Sequence, residues 1–173
     1  MPVCTSFRCQ DFIDNTAPAY MGVSGIGPDP ELVRRITAAD LVICVGARLG
    51  EMTTGRYSHF DIPRPKQTLI HVYPDAEHLD HVFDTAQAVC ADPQDFLLRL
   101  SSVTPPKAPP GRGAWLKRLR DANRKLSEWK PWSAPDGVNF GHIIQAFCDQ
   151  LADDAVITMD AGNFNSWVHR YLP

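Results

Sequence analysis

The chain has no long apolar run. The longest, over residues 41–47, falls far short of the roughly 20 residues that a membrane-spanning helix needs. The opening residues, Met1-Pro-Val-Cys-Thr-Ser-Phe-Arg8, lack the apolar core of a secretory signal. Cysteine is present without a pattern. Cys4, Cys9, Cys44, Cys90 and Cys148 are odd in number, and no two have the Cys-x-x-Cys spacing of a redox or zinc motif. These absences lead us to expect a soluble protein of the reducing cytoplasm, with no membrane partner. Cys44 and Cys148 lie in apolar periodic segments and read as buried thiols.

An excess of positive charge is missing too. With 17 Lys and Arg against 20 Asp and Glu, the net charge is −3, so nothing draws the chain toward nucleic acid or an anionic membrane. The one basic concentration, Lys117-Arg118…Arg120…Arg124-Lys125, reads as the solvated face of a helix. There is no P-loop, nucleophile elbow, HExxH or Ser/His/Asp order. No complete set of groups for covalent or acid–base catalysis is present.

What remains is globular: 44% hydrophobic and 21% charged over 173 residues. That suffices for one α/β domain with a core and part of a second. Residues 1–103 alternate strand and helix signals. A short strand over residues 2–5 enters a Gly/Pro loop, Tyr20-Met-Gly-Val-Ser-Gly-Ile-Gly-Pro-Asp-Pro30. Asp29 is placed to cap a helix that has Pro30 in its first turn and Leu32, Ile36 and Ala39 on one face. Strands follow at residues 41–45, 68–72 and 86–90. An Asp75-capped helix lies between the last two, and Asp92-Pro93 opens a helix with Phe96, Leu97 and Leu100 inward. Strands separated by helices argue for βαβ units and a parallel sheet.

Thr104-Pro-Pro-Lys-Ala-Pro-Pro-Gly111 interrupts this pattern as a semi-rigid linker and domain boundary. Beyond it come an amphipathic helix over residues 115–129, a turn-rich joint, and a helix over 140–151. A strand over 155–159 then ends at Asp160-Ala-Gly162. This second α/β unit stops before a sheet closes, so the chain reads as a piece of something larger. Its apolar face (Ile143, Ile144, Phe147, Leu151, Val156, Ile157) then needs cover from the first domain or from a second copy.

Ligands of open α/β sheets bind outside the carboxyl ends of the strands. There the sequence places Gly46, Arg48, Thr53, Thr54 and Gly55. A guanidinium at this point can fork onto a phosphate or stack on a ring, or instead pair with Glu51 or Asp61. Asp75 and Asp92 follow the next strands, where each can accept the hydroxyls of a ribose or simply cap its helix. Gly22, Gly25 and Gly27 form G-x-x-G-x-G, outside the order of the dinucleotide fingerprint. The loop can admit a ligand to the backbone or serve only as a turn. His78 and His81 have a spacing that two metal ligands can share, but no companion ligand accompanies them.

Taken together, two blocks resemble thiamine-diphosphate-dependent enzymes of the acetolactate synthase group. The first comprises the Gly22–Gly27 loop, Ala39-Asp-Leu-Val-Ile-Cys-Val-Gly-Ala-Arg48, Thr54-Gly55, Ile70-His-Val-Tyr-Pro-Asp75, and Ala91-Asp92 before Phe96-Leu97. The second is Ala155-Val-Ile-Thr-Met-Asp-Ala-Gly-Asn-Phe-Asn-Ser-Trp167. The resemblance implies a Rossmann-type, DHS-like parallel sheet flanked by helices over residues 1–103. A linker and connecting helix follow over 104–137, and a truncated diphosphate-binding domain over 138–173. It implies a multidomain, homo-oligomeric parent, a transferase or lyase acting on 2-oxo acids by carboligation or decarboxylation. Thiamine diphosphate and magnesium serve that parent. The activating glutamate and the magnesium-holding Gly-Asp-Gly…Asn segment of the family are not in this sequence, so the fragment alone is expected to be inert.

By position, Gly46, Arg48, Thr54, Asp75 and Asp92 match residues that line the family's FAD or ADP site, and Gly162 and Asn163 lie near the diphosphate. There are departures. Gly50-Glu51-Met52-Thr53 stands for the synthase-type Asp-Asp-Arg-Val, Tyr73 stands for an acidic residue, and Asn163-Phe-Asn165 stands for Gln-His-Gln. The missing second arginine removes a charge-assisted contact worth about 1.5–3 kcal/mol when buried, which weighs against FAD. Two rival readings stand beside this one. One is a self-contained nucleotide-binding module akin to sirtuin-type NAD binders. The other is a structural domain that only packs between neighbours.

Overall fold

The computed structural model describes residues 1–135, 137–152, 154–160 and 162–172. Five strands form: β1 (Val3–Ser6), β2 (Tyr20–Ser24), β3 (Leu41–Val45), β4 (Thr68–Tyr73) and β5 (Gln87–Cys90). Five α-helices accompany them: α1 (Pro30–Thr37), α2 (Pro93–Ser101), α3 (Arg112–Ser127), α4 (Phe140–Cys148) and α5 (Asn165–Tyr171). Every strand pair is parallel. β1 lies beside β2, and β3, β4 and β5 lie side by side in chain order. The expected parallel α/β architecture is present, divided into two small sheets.

Local chemistry accounts for the helix starts. The Asp29 carboxylate accepts from the Glu31 amide at 2.8 Å, with Pro30 in the first turn. Glu31 then pairs with Arg34 and, at 2.7 Å, with Arg35. Asp92 caps α2 by accepting from the Gln94 and Asp95 amides at 2.8 and 3.1 Å. The β-branched runs of β3 and β4 pair from Leu41↔Thr68 to Val45↔Val72 without a register break. β4 is the middle strand of its sheet. Leu69, His71 and Val72 on it are all buried, as expected for a parallel strand covered on both faces.

The core has two clusters. Cys44, Leu49, Phe60, Leu69 and Phe83 form one, and Met21, Leu32 and Leu119 form the other. Ile36 of α1 packs against both and joins them. Leu119 belongs to α3, which is thereby anchored on β2 and α1. Burial pushes the Cys4 thiol up to about 11 and the Cys44 thiol up to about 12.

Several expectations need correcting. Tyr20–Ser24 is a strand rather than the start of a loop, because β1 offers it a parallel partner. The Asp75-capped segment is a single 3-10 turn, Ala76–His78, since the chain turns out of it again at Leu79. On α2, Leu97 and Leu100 are 50% and 45% exposed, and only Phe96 is half-buried. The helix meets β4, and its other sides have no covering layer among the described residues. Cys148 is half-buried rather than buried. Arg120 leaves the solvated face of α3 and donates to the carbonyls of Tyr20 and Asn15 at 3.3 and 2.7 Å.

Residues 155–159 do not form the expected strand. Val156 is 89% exposed, and no described strand lies alongside to complete a ladder. Ala161, at the carboxyl end of that segment, and Pro173 lie outside the described residues. Ile144 is buried, whereas Ile143 and Phe147 remain exposed, so the apolar face of this unit is only partly covered. α4 and α5 pack on one another around Trp129, whose ring lies 5.1 Å from His142 and 5.3 Å from Tyr171. α5 reaches the segment after β1 where His169 Nδ1 meets Gln10 Oε1 at 2.8 Å. Among the described residues no helix is long and apolar enough to cross a membrane.

Candidate functional site

At the carboxyl end of β3 the chain must leave the sheet sharply. Gly46 does this with φ +74°, and its amide donates to the Val72 carbonyl at 2.9 Å. A Cβ here would sit 3.1 Å from Pro93 Cγ, so glycine answers both the backbone and the space. The next residues alternate in direction: Arg48 is exposed, and Leu49 turns into the core.

This turn forms one wall of a cleft of about 630 Å³, a size suited to a small organic ligand. Ser6 at the end of β1, Cys9 just beyond it, the Gly46–Thr53 turn, His71 and Tyr73 of β4, and the segment from His78 to Phe83 complete it. The ends of both sheets therefore open on one cavity. Ser24 Oγ donates to the Thr53 carbonyl at 2.8 Å and ties β2 to the same turn.

The histidines of this wall differ. His71 is buried, and its Nε2 lies 2.8 Å from the Ala47 carbonyl. A carbonyl only accepts, so Nε2 carries the proton. Burial holds His71 below the ordinary histidine range, more than the Ala47 contact and Asp80 raise it. His78 is partly exposed. Its Nδ1 lies 3.0 Å from Asp75 Oδ2, its Nε2 lies 3.4 Å from Arg48 Nη1, and its ring lies 5.5 Å from that of Tyr73. Asp80 accepts from the Thr85 hydroxyl and amide at 2.7 and 2.8 Å, and these bonds hold its carboxyl below the usual carboxylate range.

The residues singled out from sequence fall into three groups. Gly46 and Arg48 line the cleft. Thr54, Asp75 and Asp92 serve the chain itself. Thr54 is fully buried, donating to the Gly50 carbonyl at 2.9 Å and accepting from the Tyr57 amide at 3.1 Å. Asp75 Oδ1 accepts from the Glu77 amide at 3.0 Å, and Asp92 caps α2. Gly162 and Asn163 lie apart from the cleft, in the turn into α5, where the Asn163 carbonyl accepts from Ser166 Oγ at 2.7 Å. Arg48 pairs with neither Glu51 nor Asp61. It reaches His78, while Asp61 pairs with Lys66 at 3.0 Å.

Sequence reasoning missed His71 and Tyr73 as cleft residues. They stand two apart on β4, so alternation puts both rings on one face of the strand, 6.0 Å apart, with His71 buried and Tyr73 partly exposed. The pattern Ile70-His-Val-Tyr73 carried that alternation. Of the two histidines considered for a metal, His78 is engaged with Asp75. No three His, Cys, Asp or Glu side chains cluster among the described residues as a metal site would need.

Comparison with known proteins agrees with the fold. Over 178 aligned residues the chain is 25% identical to the acetolactate synthase large subunit of Parasynechococcus marenigrum, covering 99% of this chain and 27% of that one. It is 25% identical to the Escherichia coli isozyme 1 large subunit, covering 100% of this chain and 30% of the relative. For the isozyme 2 large subunit of the same organism the identity is 22%, over 99% and 30%. The chain thus spans less than a third of the length of each of these relatives. Residues 1–100 match the model of the central domain of thiamine pyrophosphate enzymes, and the chain therefore belongs to that family.

Proposed function

We propose that the cleft at the carboxyl ends of β1, β3 and β4 is a nucleotide site. In this reading residues 1–103 form the central domain of an acetolactate synthase-like enzyme. Residues 104–137 connect it to residues 138–173, the first part of a diphosphate-binding domain. The observation that carries the reading is the position of Arg48. It stands at the mouth of a cleft of about 630 Å³, on a glycine turn, with the rings of Tyr73 and His78 beside it. A guanidinium next to flat rings suits a ligand with a phosphate and a base. ADP fits this set better than FAD, because Met52 and Thr53 stand in the segment where a second cation would strengthen a dinucleotide's hold.

The parent enzyme acts on 2-oxo acids by carboligation or decarboxylation, as a cytoplasmic homo-oligomer. Thiamine diphosphate with magnesium supplies the carbanion chemistry when bound. The turn at Gly162 and Asn163 does not fit that group on its own, since its Asn163 carbonyl only accepts and offers a diphosphate no donor. The chain's own part is to bind and orient, and residues 1–173 alone are inert toward pyruvate.

Calorimetry of the chain with ADP, FAD and NAD tests the site. ADP should bind in the micromolar range, and Arg48→Ala should weaken it about tenfold while leaving the fold intact. Absence of heat with all three ligands would remove the nucleotide reading. A second reading, a domain that only packs between neighbours, draws on the internal partners of Thr54, Asp75 and Asp92. It requires that Arg48→Ala alter no ligand affinity.

A further inference from the structure

Asp75, one of the two carboxylates that the sequence offers for a ribose, is already engaged. Asp75 Oδ1 accepts from the Glu77 amide, and Oδ2 meets His78 Nδ1, each at 3.0 Å. The ionised carboxylate only accepts, so Nδ1 of His78 carries the proton in this contact. Arg48 only donates, so His78 Nε2, 3.4 Å from Nη1, must present its lone pair. The two contacts are compatible with a single neutral tautomer of His78. They run in one direction, from the Arg48 guanidinium through the imidazole to the Asp75 carboxylate.

Resting on the nucleotide reading above, we infer that His78 is a positioning residue. Through it Asp75 aims Arg48 at a ligand phosphate rather than holding a ribose, so the cleft selects its ligand by phosphate and ignores the ribose hydroxyls. Three observations support this. Among the described residues Arg48 has no carboxylate partner to hold it. The 3-10 turn that carries His78 is fixed by the Asp75 cap. The His78 ring is seated against Tyr73 at 5.5 Å, and Tyr73 closes on His71 at 6.0 Å. A long, flexible arginine costs side-chain entropy to immobilise, and a partner that holds it before the ligand arrives lowers that cost on binding.

The test compares His78→Phe with His78→Gln in the full chain. Phenylalanine keeps a ring against Tyr73 and removes both polar contacts. Glutamine can still donate to Asp75 and accept from Arg48. By calorimetry, His78→Phe should weaken ADP about tenfold, with adenosine binding unchanged, and His78→Gln should retain most of the ADP affinity. For the wild-type chain 2′-deoxy-ADP should bind as well as ADP. Equal ADP affinity in His78→Phe and wild type overturns the inference and leaves the nucleotide site standing, as does a large loss with 2′-deoxy-ADP. Failure of wild type to bind ADP at all overturns both. If His78→Phe does not fold, nitrogen NMR of the wild-type imidazole decides: the Nδ1-protonated neutral tautomer supports the inference, and the Nε2-protonated one overturns it.

Discussion

Two stretches of this chain carry nearly the same sequence signal and reach different structures. Residues 30–45 read as a capped helix followed by a β-branched strand, and they become α1 and β3. Residues 139–159 read the same way. Asn139 caps α4 by accepting from the Gly141 amide at 2.9 Å, yet the run Ala155-Val-Ile-Thr-Met159 stays outside any described sheet. The helices formed in both places because their bonds are local. The strand formed only where Thr68–Tyr73 lay alongside, because a strand's backbone groups need a neighbour.

The comparison can be broken most directly through burial. Leu69 is 1% exposed and Val156 is 89% exposed. Leu69→Ala should cost about 2–5 kcal/mol in urea unfolding, and Val156→Ala should stay within about 0.5 kcal/mol. In hydrogen exchange, the amides of β4 should be among the slowest and those of residues 156–159 among the fastest. Comparable protection in both would mean that the second stretch has found a partner.

Acid gives a further contrast, because His59 and His71 lie near β3 and β4 while His169 of α5 lies where that helix meets Gln10. Burial is the leading cause that holds all three below the ordinary histidine value when folded. The unfolded chain therefore takes up their protons first. This stability is fully present above about pH 6.5 and is lost as pH falls below it. The melting temperature should drop between about pH 7.5 and pH 5.5, and His71→Gln should flatten that drop. A curve that is level for the wild-type chain would contradict the burial of these rings.

The two caps give a smaller and more even effect. Asp92→Ala and Asn139→Ala should each cost about 1 kcal/mol, since each removes a side chain that accepts from first-turn amides. An Asn139→Ala change that costs nothing would show that α4 is held by Trp129 packing alone. Smallest of all, Arg48→Ala should move stability by less than about 0.5 kcal/mol, as an exposed residue in a polar contact. Its effect belongs in ligand affinity, read by calorimetry.

How much of this was legible follows the range of each interaction. The Asp29-Pro30 and Asp92-Pro93 starts were legible because a cap is satisfied within three residues. β3 and β4 were legible because their apolar runs suit a covered parallel sheet. β2 was hidden: Gly22, Gly25 and Gly27 signal a turn, and only pairing with β1 makes Tyr20–Ser24 a strand. The inward face assigned to α2 failed because periodicity names an apolar stripe without naming what covers it. In the site, Gly46 and Arg48 could be placed from the strand end alone. His71 and Tyr73 could not, since His71 finds its partner at Ala47 past the end of the neighbouring strand and Tyr73 meets His78 only because the chain turns back after β4.

Composition, helix caps, the parallel α/β class and the family resemblance were determined by the sequence itself, whereas no α-helix among the described residues crosses between two paired strands as a βαβ unit would need. The features that the sequence determined rest on bonds between near neighbours or on patterns that any solvent-facing sheet and helix must obey. Only the tertiary structure decided that Thr54 is buried and that Arg48 meets His78, thirty residues away in the chain. Those outcomes depend on which distant groups arrive first at a lone pair or a donor, and sequence spacing carries no record of that competition.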